Sequence, residues 1–248
     1  MIKVLINGCN GKMGKWVQEV IKETDGIETI AGFDKQDTGD NDFPVFTKIE
    51  EINIVPDVVI DFSVPLATLN ILEFAVEHKI PIVIATTGFS SEEQEKIYEA
   101  RKIIPVFKSS NMSYEINLMS KLIAEVAKKL PESDIEIVET HHRRKVDAPS
   151  GTALLLADSI NTAMDQKYDY EYNRHTRRES RPANEIGIHS IRGGTEAGNH
   201  SVIFFGNDES LKIEHNVTSR KVFAVGAIKA AKFIVNKEPG LYDMNDLC

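Results

Sequence analysis

Short apolar runs and amphipathic stretches alternate through the first hundred residues. "IKVLING" is followed by a helical pattern over about 13–23, then "IETIAGF", "DVVIDFS", a helical pattern from Pro65 to His78, and "PIVIATT". Apolar strands separated by helix-length segments predict βαβ units and a parallel sheet. Pro65 suits a first helical turn, where its missing N–H would have had no partner anyway. In "SSEEQEKIYEARK", Ser90 with Glu93 and Ser91 with Gln94 form competing capping boxes, so a helix begins there, and "IIPVF" reads as a further strand.

After Lys108 the pattern changes. A helix over about 113–130 carries Ile116, Met119, Leu122, Ile123, Val126 and Leu130 at helical spacing, a stripe expected to pack on a sheet. The strands for that sheet are "DIEIVET", "IGIHSIRG", "SVIFFGN" and "SLKIEHNV", and their short connections predict a mixed or antiparallel arrangement. Residues 167–185, polar and rich in cations, read as a mobile loop. A last helix over about 222–235 is expected to return to the first domain. The predicted fold class is α/β: an N-terminal doubly wound parallel sheet, Rossmann-like, followed by a second α+β domain on a mixed or open sheet.

Composition narrows the function. The 248 residues are 42% hydrophobic, enough for a packed core, and carry a formal charge of -9. An acidic surface repels phosphate backbones, so no nucleic-acid partner is expected. No run approaches the roughly 18–20 apolar residues that cross a bilayer, and the N-terminus lacks a signal-peptide layout, so the expected setting is the cytoplasm without a membrane. Cys9 and Cys248 are too few for a disulfide framework or a thiolate metal site, and no metal is expected.

The earliest chemical motif is "INGCNGKMGK", in which Gly8, Gly11 and Gly14 follow a strand at a helix start. Glycines there let the backbone approach a pyrophosphate, and the helix N-terminus favours its charge. Twenty residues on, Asp34 ends a strand where an acid accepts from the adenosine ribose. Lys35 beside it suits a 2′-phosphate, which leaves NAD and NADP both open. Two more strand ends, Asp61 to Ser63 and Ala85 to Phe89, open on the same edge, and Thr86, Thr87 and Gly88 offer hydroxyls and bare backbone to a nicotinamide or ribose.

The second motif is "THHRRKVDAPSGTA". Side chains alternate along a strand, so His141 and His142 cannot share one ligand while extended, which disfavours a two-histidine metal site. Ser150 reads as an N-cap, and the N–H groups of Gly151 and Thr152 then point outward as an anion site. With Lys145, His142 and one of Arg143 or Arg144, the segment can hold one or two carboxylates. A histidine among cations gives up its proton readily, as a general acid requires. His175, His189, His200 and His215 show no ligand spacing and read as structural or exposed.

In order along the chain, "NGCNGKMG", "DFS", "ATTGF", "SSNMSYEINL", "IVETHHRRKVDAPSGTA", "IRGGTEAGNHSVIF" and "SRKVFAVGAIKAA" resemble the dihydrodipicolinate reductase family of lysine biosynthesis, from end to end. The resemblance implies a dinucleotide-binding domain at 1–111 with 220–248, a substrate-binding and oligomerisation domain at 112–219, and a homotetramer. It implies hydride transfer from NADH or NADPH to a cyclic imine or enamine dicarboxylate, with His141 as proton donor and Lys145 binding and polarising the substrate. His142, Ser150, Gly151 and Thr152 would hold carboxylates. The cofactor set it implies is Gly8, Asn10, Gly11, Lys12, Met13, Gly14, Asp34, Lys35, Phe62, Ser63, Ala85, Thr86, Thr87, Gly88, Ser110, Asn111, Met112 and Arg220, the last near the substrate pocket. Ala85 stands where the family usually has glycine, and Met112 where phenylalanine often follows the asparagine. The rival readings are another small-acid dehydrogenase and a non-catalytic NAD(H)-binding redox sensor. Neither cysteine is placed to serve a semialdehyde dehydrogenase, and a sensor would not need His141 and Lys145 together.

Overall fold

The computed structural model describes residues 1–247, so Cys248, the last position of the 220–248 segment, lies outside the described residues. The chain divides into two units, Met1–Tyr114 with Arg220 onward, and Glu115–Ser219.

The first unit is built on a seven-stranded sheet. β1 (Ile2–Asn7), α1 (Lys12–Lys22), β2 (Ile27–Phe33) and β3 (Val45–Phe46) run one way from the centre. β4 (Val58–Asp61), α2 (Pro65–His78), β5 (Ile82–Ile84), α3 (Ser91–Ala100) and β6 (Pro105–Lys108) run the other. Every pairing is parallel. The two windings meet between β1 and β4, the crevice at which doubly wound sheets place ligands. The strands are buried on both faces, which is why they read as continuous apolar runs. One core layer packs β1 and β4 against α1 and α6 (Lys221–Ile234), the returning helix. The other packs β4 to β6 against α2 and α3. Pro65 opens α2, and the capping box at α3 is Ser90 with Glu93 rather than Ser91 with Gln94. β12 (Gly240–Tyr242) joins the edge beside β6, a strand too short to register in the apolar pattern.

The second unit holds a five-stranded mixed sheet in the order β11-β10-β7-β9-β8. β7 (Asp134–His141) pairs parallel with β9 (Glu185–Arg192) and antiparallel with β10 (Gly198–Phe205), which pairs antiparallel with β11 (Ser210–Val217). One face is covered by α4 (Tyr114–Lys129) and α5 (Gly151–Ala163) through Ile116, Met119, Ile123, Leu156 and Ile160 against Ile135, Ile137, Ile186, Val202 and Phe204. The α4 stripe is narrower than its spacing suggests, since Leu122 and Leu130 are 49% and 40% exposed. Residues 167–185 are not a bare loop. Asp169–Glu171 forms β8, parallel to β9, and Arg174–Thr176 a 3-10 turn. Arg174 and Arg177 both pair with the buried Glu185, and Arg181 with Asp134 and Glu136. Three of the cations in the segment read as a mobile loop therefore anchor it through partners that the linear pattern does not reveal. Among the described residues, no helix is long and apolar enough to cross a membrane.

Candidate active site

The glycine turn is dictated by close packing. Gly8 has φ +80°, and a Cβ there would stand 2.5 Å from the Phe62 carbonyl oxygen. A Cβ on Gly14 would overlap the Gly8 carbonyl oxygen and the Cys9 backbone, so α1 can sit this close only as glycine. Gly11 is the N-cap of α1 and supplies no side-chain cap, which leaves the first N–H groups of the helix open to an anion. Asp34, just past β2, accepts from the Asn10 N–H at 2.9 Å and the Lys35 N–H at 2.8 Å, tying the turn to the strand end.

Gly8, Asn10, Gly11, Asp34, Lys35, Phe62 and Ser63 line one cavity of about 700 Å³ at the β1/β4 crevice. Lys12, Met13 and Gly14 belong to the first turn of α1 behind it. Thr86, Thr87, Gly88 and Ser110 line a second cavity of about 410 Å³, together with Lys108 and Tyr242. Ala85 packs on the first core layer, and Met112 is buried inside it, 2% exposed, and neither is among the residues lining these two cavities. The Asn111 carboxamide oxygen accepts from the Ser113 N–H at 2.8 Å, and Arg220 is the N-cap of α6.

Asp61 does not face a ligand. Its fully buried carboxyl accepts from Asn7 Nδ2 at 2.8 Å, Ser63 Oγ at 2.5 Å and Thr68 Oγ1 at 2.7 Å, and Ser63 N–H donates to Thr86 Oγ1 at 3.0 Å. Burial holds its pKa above the ordinary carboxylate value despite these bonds. This latch fixes the ends of β1, β4 and β5 under the crevice. Cys9 is buried and its thiol is pushed up to about 12, mainly by desolvation, so it is not a nucleophile.

In the second unit, His141 ends β7 and is 8% exposed, while His142 lies past the strand with its N–H donating to the Glu196 carbonyl at 2.9 Å. Lys145 is largely covered and pairs with Asp147 at 2.8 Å, whereas Arg143 and Arg144 are exposed. Ser150 caps α5 by accepting from the Ala153 N–H at 3.1 Å, and a Cβ on Gly151 would meet nothing within 4 Å, so the helix start faces open space. Three residues that the sequence did not assign to the site, among them His200, read there as structural or exposed, complete the cluster. Glu139, fully buried, accepts from His141 Nδ1 at 2.6 Å and from Arg192 at 2.6 and 2.8 Å. His200 bonds Ser150 Oγ through Nε2 at 2.9 Å and stands edge-on to His141, 5.2 Å between ring centres.

Electrostatics follow from these contacts. Burial works to raise the Glu139 pKa, but hydrogen bonds from Arg192, Ser190 and His141 outweigh it and bring the value down to about 2. Burial lowers His141; Glu139 opposes that, while Lys145 and Arg192 add to it. His200 is pushed down to about 3, by burial and then by His141, so it is a neutral ring at every ordinary pH. Alternation along β7 places Glu139 and His141 on one face, a signal present in the sequence. Arg192 and His200 come from other strands, and only the register brings them here. No group of residues suited to hold a metal is found among the described residues.

Family models for the N-terminal and C-terminal parts of dihydrodipicolinate reductase match residues 2–112 and 115–248. The chain is 52% identical over 247 residues to a 4-hydroxy-tetrahydrodipicolinate reductase of Caldanaerobacter subterraneus subsp. tengcongensis, covering 100% of this chain and 98% of that one. It is 47% identical over 246 residues to a protein of the same name from Clostridium tetani, covering 99% and 96%. Among solved structures it is similar to dipicolinate-bound dihydrodipicolinate reductase from Paenisporosarcina sp. TG-14, at 25% identity, TM-score 0.83 and full coverage of both chains.

Proposed function

The chain belongs to the dihydrodipicolinate reductase family, and from that premise we propose how its own residues carry out NAD(P)H-dependent reduction of 4-hydroxy-tetrahydrodipicolinate to tetrahydrodipicolinate, a step of lysine biosynthesis. The observation that supports the reading is the open, Ser150-capped start of α5 in the same cluster as His141 and Lys145, in a chain whose first unit offers a glycine cradle that a Cβ would fill.

The residues fit a dinucleotide. Gly8, Gly11 and the first turn of α1 take the pyrophosphate, Asp34 accepts from the adenosine ribose diol, and Lys35 offsets a 2′-phosphate, so both NADH and NADPH are substrates. Thr86, Thr87, Gly88 and Ser110 receive the nicotinamide end. The bound cofactor supplies the hydride. The 4-hydroxyl group leaves as water, His141 holds a proton at Nε2 and delivers it as the ring takes up the hydride, and Lys145 binds a carboxylate and offsets charge developing on the substrate. Gly151 and Thr152 N–H groups, with Ser150 and His142, hold the second carboxylate. The dicarboxylate explains why an acidic chain gathers cations in one segment. The enzyme acts as a homotetramer assembled through the second unit.

The assay follows NAD(P)H absorbance with substrate generated in place from pyruvate and aspartate semialdehyde by the preceding enzyme of the route. Steady oxidation dependent on both precursors is expected. Folded protein that binds cofactor without ever oxidising it would instead support a sensor.

A further inference from the structure

We infer that Glu139, clamped by Arg192, is the positioning residue that fixes the His141 ring, keeping Nδ1–H on its own carboxylate and leaving Nε2 to carry the proton that is delivered. The inference rests on the reading of His141 as proton donor and adds the group that makes it one.

Geometry leaves the ring little choice. Glu139 and His141 lie two residues apart on one face of β7, and His141 Nδ1 meets Glu139 Oε2 at 2.6 Å. The carboxylate is itself immobile: Arg192 donates to both oxygens, at 2.6 and 2.8 Å, and the Ser150 N–H donates to Oε1 at 3.1 Å. A bidentate guanidinium keeps that carboxylate ionised, so it only accepts, and Nδ1 must bear hydrogen in both protonation states of the ring. The other nitrogen is left open by design. A Cβ on Gly198 would stand 2.8 Å from Nε2, and among the described residues Nε2 has no hydrogen-bond partner.

Charge points the same way. The groups acting on His141 are Glu139 on its own strand, Lys145 on the following segment, Arg192 on β9 and His200 on β10, while Asp147 pairs with Lys145 and Ser150 with His200. Lys145 and Arg192 oppose the imidazolium, as does burial. Asp147 is spent on Lys145, and His200 is neutral. Glu139 alone both touches the ring and favours its charged form. After Nε2 gives its proton to the substrate, the neutral ring keeps Nδ1–H on Glu139, and solvent returns the proton at Nε2. Carboxylate–imidazole pairs of this kind set tautomer and orientation without taking the proton.

The test reads the ring directly. In the full-length wild-type protein without cofactor, labelled on its histidine nitrogens, the His141 signal is identified by its loss in His141→Gln, and its neutral form should be the Nδ1–H tautomer. Finding the Nε2–H tautomer overturns the inference without any Glu139 variant having to fold. In Glu139→Gln the titration midpoint of His141 should fall by about one unit or more. The decline of kcat toward alkaline pH should move down with it, for roughly a tenfold loss at neutral pH and little change in KM. Glu139→Asp, shorter but charged, should restore part of the midpoint. An unmoved midpoint and pH profile in Glu139→Gln overturns the inference. Normal turnover by His141→Gln would instead sink the reading of His141 as the acid.

Discussion

His141 and Lys145 sit four residues apart, and the different roles proposed for them should separate in kinetics. The role proposed for His141 acts through a proton at one nitrogen, so His141→Gln should lower kcat by about 10² to 10⁴ with modest change in KM. Lys145, largely covered and paired with Asp147 across 2.8 Å, is proposed to bind a ground-state carboxylate as well as to offset developing charge. Lys145→Ala should therefore damage both parameters, and arginine should rescue it poorly, because a planar fork does not replace a compact ammonium. Steady-state kinetics with the in-place substrate, beside fluorescence titration with NADH, checks this: cofactor affinity should survive both changes. If each variant keeps near-normal kcat and KM, the segment is only a charge run. At this scale the sequence is a good guide where chemistry is local. Ser150 as N-cap of α5 and Gly8 at positive φ follow from their neighbours in the chain. Glu139 was equally near, two positions from His141 on the same face, but a buried carboxylate is meaningful only once Arg192 is beside it.

Elements position these groups through contacts that tolerate little change. In α1 the Gly14 position abuts the Gly8 carbonyl oxygen, so Gly14→Ala must lift the helix start from the turn. NADH and NADPH should both bind more than tenfold more weakly by fluorescence titration, with the α-helical signal retained, since alanine favours helix. At the end of β2, Lys35 and Asp34 line the same cavity. Lys35→Ala should weaken NADPH more than NADH, because only the former carries a 2′-phosphate; equal effects on both dissociation constants would remove Lys35 from that contact. The elements themselves were mostly legible. The exceptions are β3, β8 and β12, of two or three residues each. Such strands carry too few positions for a period to show, and exist only because a neighbouring edge supplies their hydrogen bonds.

For the whole molecule, buried titratable groups set the response to acid. His200 is 3% exposed and pushed down to about 3 from its ordinary 6.5. Below 6.5 the unfolded chain takes up a proton there and the folded chain does not, so the stability that neutral His200 provides is whole above 6.5 and drains as pH falls toward 3. At pH 5 that amounts to about 2 kcal/mol. Glu139, held down to about 2 from 4.5, contributes stability that is lost only below 4.5. Urea unfolding followed by the fluorescence of Trp16, the single tryptophan, should show the loss begin near pH 6.5. His200→Gln should flatten the part between 6.5 and 4.5, and an unchanged slope there would mean that His200 ionises in the folded protein. Sedimentation should give a particle of four times the 27.7 kDa chain mass; a monomer at working concentration would refute the proposed tetramer.

The sequence by itself determined the alternation of strand and helix, the glycine turn with Asp34 twenty residues beyond Gly14, and the histidine–lysine segment that ends in a helix cap. Each is written in near-neighbour spacing, which the periods of helix and strand translate directly into geometry. Tertiary structure decided what surrounds those residues. The register of β7 against β9 and β10 brings Arg192 and His200 to Glu139 and His141. The meeting of β1, β4, β5 and α2 turns Asp61 into a buried latch rather than a ligand contact. Strand pairing joins residues fifty or more positions apart, and the linear pattern records which face each occupies but not which partner lies across the ladder.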